Sequence, residues 1–273
     1  MSDVLASTRT AAVTGHSRRL SVPVALAWQD APRLTRHPIL LIAFAYLGLF
    51  LLLEGDTGPR AAFTLLTDVP TMLYGGFVVF AANLLASRER RSGNEEWLDS
   101  MPASPAARTT AAQLAVLGPL VLVSALVAVG FVVSVATDQF ITPPTLLEVL
   151  SGLLPVLGGG LLGVMVARWL PWPGMAALVM VGLIALHVWL NDGSRKLLGA
   201  YVEWAAWSAG GNSGAWAGLI PGSRGWHVTY LLALCAMAAT GAHLIHARRK
   251  LPVLAVGGVF TALAVLAGWA QLA

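Results

Sequence analysis

The densest charge in this chain lies at residues 88–108, RERRSGNEEWLDSMPASPAAR, between two long apolar runs. Four of the seventeen Lys and Arg and four of the thirteen Asp and Glu fall within it. The pattern breaks a membrane helix at Arg88 and turns at Ser92-Gly93. It then opens a short helix with Glu95 and Glu96 in the first turn, where carboxylates complement the helix dipole, and stops at Pro102. Other residue types with chemical potential are sparse. His243 and His246 are spaced i, i+3, but a metal site needs three or four ligands and no carboxylate lies near them in sequence, so they read as interfacial histidines. Cys235 is the only cysteine, which excludes an intrachain disulfide and a thiolate cluster. No G-x-x-x-x-G-K-S/T loop occurs, so the chain cannot hydrolyse ATP by that mechanism. Tyr74 and Asn83 in the second apolar run, and Ser124 and Ser134 in the third, are polar groups that either line a path or hydrogen-bond neighbouring helices. Glu148 sits close to the outer end of the fourth run. Asp, Glu, Lys and Arg are otherwise absent near mid-membrane, which argues for energy supplied from outside the chain and against a proton-driven carrier.

The elements that position these residues follow from composition. The chain is 57% hydrophobic and 11% charged, with mean hydropathy +0.73, whereas soluble domains carry roughly 25% charged residues. The formal charge of +4 does not point to nucleic acid, because the arginines flank apolar runs and form no single patch. Runs at 38–53, 65–87, 109–136, 146–167, 173–190, 227–246 and 252–272 approach or reach the ~20 apolar residues needed to cross a bilayer. In hydrocarbon they must be helical, because backbone groups cannot go unpaired there. The expectation is an all-α polytopic membrane protein of six to seven transmembrane helices. Residues 1–20 form a polar tail without the apolar stretch of a signal peptide. Residues 21–37 read as an amphipathic interfacial helix: Val24, Trp28, Ala31 and Leu34 recur on one side, Asp30, Arg33 and Arg36 on the other, and Pro32 is expected to kink it. Residues 38–273 form one transmembrane domain, with a cytoplasmic loop at 88–108 and an outer loop at 191–226. The latter carries two interfacial helical pieces separated by Gly210, Gly211 and Gly214.

Orientation follows the basic residues. With the N-terminus inside, thirteen of the seventeen face the cytoplasm, and Arg60, Arg195, Lys196 and Arg224 face outward. Gly159 and Gly163 form a small-xxx-small face in the fourth run that lets another helix approach closely. Pro155 is expected to kink that run. Fifteen of the basic residues are Arg, and Ala and Gly abound, a composition that fits a GC-rich bacterial genome and hence the bacterial plasma membrane.

The basic cluster, Gly93, Glu95-Glu96, Leu98, Met101-Pro102 and Ser104, closed by Arg108, resembles the loop between the second and third spans of ABC-2-type transporter permeases. The resemblance covers the general layout of most of the chain, including the elbow-like helix before the first span. It departs at the seventh run, since that family usually has six spans. The resemblance implies an exporter subunit, not itself an enzyme, that assembles with a second permease, identical or related, and with ABC ATPase subunits carrying ATP and Mg. This chain would bind no cofactor or metal of its own, and its further contacts would be membrane lipids. Residues 94–101 would be the coupling helix. Arg91, Glu95, Glu96, Trp97, Leu98, Asp99, Met101 and Pro102 would meet the ATPase, with Trp97 and Leu98 in an apolar groove and the carboxylates on its basic rim. The outer loop 191–226 occupies the place of that family's outer gate. The alternative from another class is a non-transporting polytopic anchor, sensor or assembly protein, which would have no ATPase partner. An intramembrane enzyme would need a buried pair of catalytic groups that the sequence does not supply.

Overall fold

The structure, a computed structural model, describes residues 21–54, 62, 65–66, 70–91, 103–140, 143–172, 174–190 and 223–270. The tail 1–20, the centre of the charged loop and most of the outer loop 191–226 lie outside the described residues. Among the described residues every regular element is a helix. In chain order these are α1 (Val22–Thr35), α2 (Pro38–Glu54), and a π-helical segment (Pro70–Gly75) running into α3 (Gly76–Ala86). They continue with a short turn α4 (Arg88–Arg91), α5 (Pro105–Ala115), α6 (Leu117–Ala136), α7 (Leu146–Trp169), α8 (Met175–Leu190), α9 (Arg224–Leu244) and α10 (Lys250–Ala270).

Four stretches are long and apolar enough to cross a membrane: 105–136, where α5 and α6 join across Val116, and α7, α9 and α10. The apolar helices α2 and α8 have 17 and 16 residues, and α3 has 11. Each coincides with a run expected from hydropathy, but falls short of a full crossing by the described residues alone. Helix ends obey local chemistry. Ser104 caps α5 by accepting a hydrogen bond from the Ala107 N–H at 3.2 Å, with Pro105 in the first helical position, where its missing N–H costs nothing. Thr145 and Glu148 form a capping box at the start of α7. Ser223 caps α9, so Arg224–Trp226, expected to belong to the outer loop, form the first turn of that helix instead. Likewise the third run begins earlier than expected, at Pro105. Both α1 and α7 remain helical through Pro32 and Pro155.

The middle of the bundle is α7, with 67% of its apolar stretch buried against 22% for 105–136 and 17% for α10. Its glycines make that position possible. A Cβ on Gly159 would lie 2.7 Å from the Gly75 carbonyl oxygen, and one on Gly163 would lie 2.3 Å from that of Val79. The small-xxx-small face therefore receives α3 of the same chain. On the other side α7 meets α9 along its length. Glu148 pairs with Arg224 at the start, Cys235 Sγ reaches the Leu154 carbonyl at 3.7 Å in the middle, and Trp169 Nε1 donates to the Gly241 carbonyl at 2.8 Å at the end. The pairings 75 with 159 and 79 with 163, and 148 with 224 and 169 with 241, make α3, α7 and α9 parallel. The intervening helices must then return in the opposite sense, as in a bundle threaded repeatedly through a bilayer.

The final helix α10 packs on α9. Ala264 and Ala267 near its C-terminal end join Val228 and Leu231 from the start of α9, while Gly257 lies near Thr240 at the other end. It therefore runs back antiparallel along α9 over its length. Large apolar side chains point outward from it, including Leu251, Val259, Val265 and Trp269, as lipid-facing helices require. One end of the bundle thus gathers the C-terminal ends of α3, α7 and α9 and the N-terminal ends of α5 and α10. This is the basic end, with Arg88, Arg90, Arg91, Arg108, Arg168, Arg248, Arg249 and Lys250.

Candidate coupling face and polar residues of the spans

The charged loop 88–108 leaves α3 and enters α5 at the basic end. The segment of it expected to couple, Glu95, Glu96, Trp97, Leu98, Asp99, Met101 and Pro102, lies outside the described residues. Both of its flanks are described, and α1 holds them. Asp30 accepts hydrogen bonds from Arg88 at 3.0 and 3.2 Å and from Arg33 at 3.4 Å, with its side chain only 13% exposed. The exit from α3 is therefore tied to α1 by an ion pair. The entry side is held by packing: α1 lies along α5, and Gly118 lets it come so close to α6 that a Cβ there would meet Thr35 Oγ1 at 2.7 Å and the Ala31 carbonyl at 2.9 Å.

This geometry corrects the sequence reading of α1. Asp30 was expected on the solvent side with Arg33 and Arg36, but its carboxylate turns inward to Arg88. The apolar side is divided. Leu34 is fully buried with Ala27, while Trp28 is 78% exposed beside an exposed Val24. A tryptophan so exposed at one end of a membrane bundle suits headgroup depth, with its ring in the apolar layer and its N–H toward water.

Arg91, expected to meet a partner, has its guanidinium on the last turn of α3. Nη2 donates to the Leu84 carbonyl at 2.7 Å and to Ser87 Oγ at 2.5 Å, where a cation neutralises the carbonyls left unpaired at a helix C-terminus. Ser87 Oγ in turn donates to the Asn83 carbonyl at 2.6 Å. The basic cluster after α3 thus doubles as the cap of that helix.

The four residues considered as pathway-lining lie on α3, on the π-helical segment before it, and on α6. Asn83 is buried and donates from Nδ2 to the Gly163 carbonyl at 3.3 Å, a bond between α3 and α7 beside the glycine contact. Tyr74 is buried in the π-helical segment with its ring 5.0 Å from that of Phe44, and its hydroxyl has no hydrogen-bond partner among the described residues. Ser124 is half-buried and Ser134 buried, both on α6. Asn83 thus makes a contact between two helices.

Two polar groupings were not anticipated. At the end opposite the arginines, Glu148 is 3% exposed. Its Oε2 accepts from the Thr145 N–H at 2.5 Å and Thr145 Oγ1 at 2.7 Å, and its Oε1 pairs with Arg224 at 2.8 Å, fastening the start of α7 to the start of α9. The T-x-x-E spacing was the legible signal for the first half of this arrangement. At the basic end, Gln113 of α5 donates to the Ala239 carbonyl at 2.9 Å and accepts from His243 Nε2 at 3.1 Å, and Trp169 reaches Gly241. Since Gln113 Nε2 is committed to a carbonyl, its Oε1 is the acceptor and His243 carries its proton on Nε2. Beyond it, His246 is half-buried and held below its ordinary value of 6.5, first by burial, then by the cations Arg168, Arg90 and Arg108 and by His243. His37, between α1 and α2, is lowered by burial. Among the described residues no group of three His, Cys, Asp or Glu is placed to hold a metal. Comparison with protein-family models, curated proteins and solved structures gives no match.

Proposed function

We propose that the chain is the membrane-spanning permease subunit of an ATP-driven exporter of the ABC-2 type, coupled through residues 88–108 to a separate ATPase. The observation that carries this reading is the grip of α1 on both flanks of that loop, by the Asp30–Arg88 ion pair on one side and the Gly118 contact on the other. A loop that receives mechanical work must pass it to the spans, and a segment anchored to an interfacial helix at both ends moves α3 and α5–α6 together. The parallel arrangement of α3, α7 and α9 fits repeated crossing, with six or seven spans when α2, α8 and the run at 65–87 are counted with the four long helices. The basic end then faces the cytoplasm, where ATP and Mg would be held on the partner. Two permeases, identical or related, would enclose the path.

The reading is tested by purifying the tagged protein in mild detergent from its native membranes and identifying what accompanies it. A stoichiometric nucleotide-hydrolysing partner, retained by wild type and lost in Glu96→Ala/Trp97→Ala, is the expected result. A protein that purifies without such a partner overturns the proposal in favour of a non-transporting anchor, sensor or assembly protein.

A further inference from the structure

A single residue joins the interfacial helix to the first apolar helix. The His37 N–H donates to the Leu34 carbonyl at 3.0 Å and so closes α1, while the His37 carbonyl accepts from the Leu40 N–H at 2.9 Å and opens α2. Its imidazole completes the start of α2, where Nδ1 accepts from the Ile39 N–H at 3.3 Å. Pro38, the first residue of α2, has no N–H to offer, so that of Ile39 is the first in the helix to need a partner. Both sides of the joint are anchored. Leu34 and Leu40 are fully buried in one core cluster. Helix α1 is held by Asp30 on Arg88 and by its contact with Gly118, and α2 by the Phe44 ring 5.0 Å from that of Tyr74. The angle between the two helices therefore turns on the link at Arg36 and His37.

A backbone N–H can only donate, so His37 Nδ1 is an acceptor and the neutral ring carries its proton on Nε2. Serine or asparagine, common caps, would accept there at any ordinary pH. Imidazole accepts only while neutral. Protonation places a hydrogen on Nδ1, leaves the Ile39 N–H without its acceptor and sets a cation against the positive end of the α2 dipole. The charged groups around the joint are Asp30, Arg33 and Arg36 of α1, Arg88, Glu89, Arg90 and Arg91 on the turn after α3, and Arg108 of α5. Asp30 is engaged with Arg88 and Arg33. Of the other elements packed on α1 and α2, helices α3 and α6 carry no titratable residue, the π-helical segment carries Tyr74, and α2 itself carries Tyr46 and Glu54 farther along. Burial holds the ring below its ordinary value of 6.5, in keeping with a neutral cap at neutral pH.

We propose that His37 is a protonation-sensitive hinge, whose neutral imidazole fixes the angle between α1 and α2 by capping α2, and whose protonation releases that angle. The hinge does not rest on the transport reading. It sets the placement of α1, and through α1 that of both flanks of the charged loop, whatever the loop contacts.

The test uses the full chain in nanodiscs. Nitrogen-15 labelling of the histidines, with the His37 signal identified by its loss in His37→Asn, gives the neutral tautomer and the titration midpoint. Spin labels at Gln29→Cys on α1 and Ala45→Cys on α2, both exposed positions, in a Cys235→Ala background, then report the distance between the helices a pH unit to either side of that midpoint. A narrow distribution is expected above it. Below it, the population outside the main peak should grow roughly fivefold, the scale of one helix cap. His37→Asn caps without titrating and should stay narrow at both pH values, whereas His37→Phe cannot cap and should be broad at both. A neutral His37 protonated on Nδ1, an unchanged wild-type distribution, a narrow one in His37→Phe, or broadening at low pH that persists in His37→Asn each overturns the proposal, the last by assigning the response to other groups.

Discussion

Replacement of Gly163 by alanine tests the central contact of the bundle. The new Cβ would stand 2.3 Å from the Val79 carbonyl oxygen, 3.1 Å from its carbon and 3.2 Å from the Ala82 Cβ. The obstruction is backbone, so no rotamer change relieves it. Reaching an ordinary contact requires α3 and α7 to part by about 1 Å, a cost on the order of 1–3 kcal/mol for an overpacked site. The same displacement takes Asn83 Nδ2, already 3.3 Å from the Gly163 carbonyl, out of hydrogen-bonding range, adding about 0.6 kcal/mol by the average for interhelical bonds in membranes. Against this stands the better helix propensity of alanine, at most about 1 kcal/mol. The net expectation is a loss of about 2 kcal/mol, or roughly 30-fold in the folding equilibrium. SDS titration of the protein in maltoside micelles, followed by circular dichroism, measures it. Gly182→Ala is the control, since nothing lies within 4 Å of a Cβ there, and it keeps the propensity gain without the clash. A Gly163→Ala midpoint equal to that of Gly182→Ala would refute the packing argument.

The adjoining face of α7 gives a rescue experiment. Gly160→Ala drives a Cβ to 2.2 Å from Val116 Cγ1, and because that obstruction is a side chain, Val116→Ala should restore at least about 1 kcal/mol in a double-mutant cycle by the same titration. At the other end, Glu148→Ala loses both its charge and its half of the capping box. It should destabilise about 1 kcal/mol more than Glu148→Gln, which keeps a hydrogen-bonding side chain at that position, while Arg224→Ala should add little in the Glu148→Gln background. The pH dependence follows from His246 and His37, both lowered in the folded protein. Between the folded and unfolded values the unfolded chain binds more protons, so their contribution to stability is complete above about 6.5 and is lost as pH falls below it. Thermal midpoints recorded from pH 7.5 to 5 should decline, and the decline should be shallower in His246→Gln. An unchanged slope in that variant would contradict the assignment.

Much of the architecture was legible in the residues. Hydropathy located each of the long apolar helices among the described residues within a few positions, because removal of some twenty apolar residues from water dominates any local preference. The cap at Ser104-Pro105 and the capping box at Thr145–Glu148 are local signals that need no tertiary context. The gathering of arginines at one end was also implicit in their positions between runs, and the parallel course of α3, α7 and α9 realises it. Lateral arrangement was not legible. Once helices are in lipid, their neighbours are chosen by close packing of small residues and by single hydrogen bonds, because lipid and protein are equally apolar. Gly159 and Gly163 announced that some helix comes close, yet only the fold made it α3 of the same chain. Asn83 announced a polar contact, and the fold made it a bond to Gly163 of α7. Asp30 had the periodicity of a solvent-facing residue, and Arg88, 58 positions away, turned it inward, because an ion pair at the edge of an apolar layer outweighs one helical position. The sequence by itself thus determined which segments leave water and where they end. The tertiary structure decided which of them touch, and so which charges meet at the basic end, because those choices rest on contacts between residues that no local pattern connects.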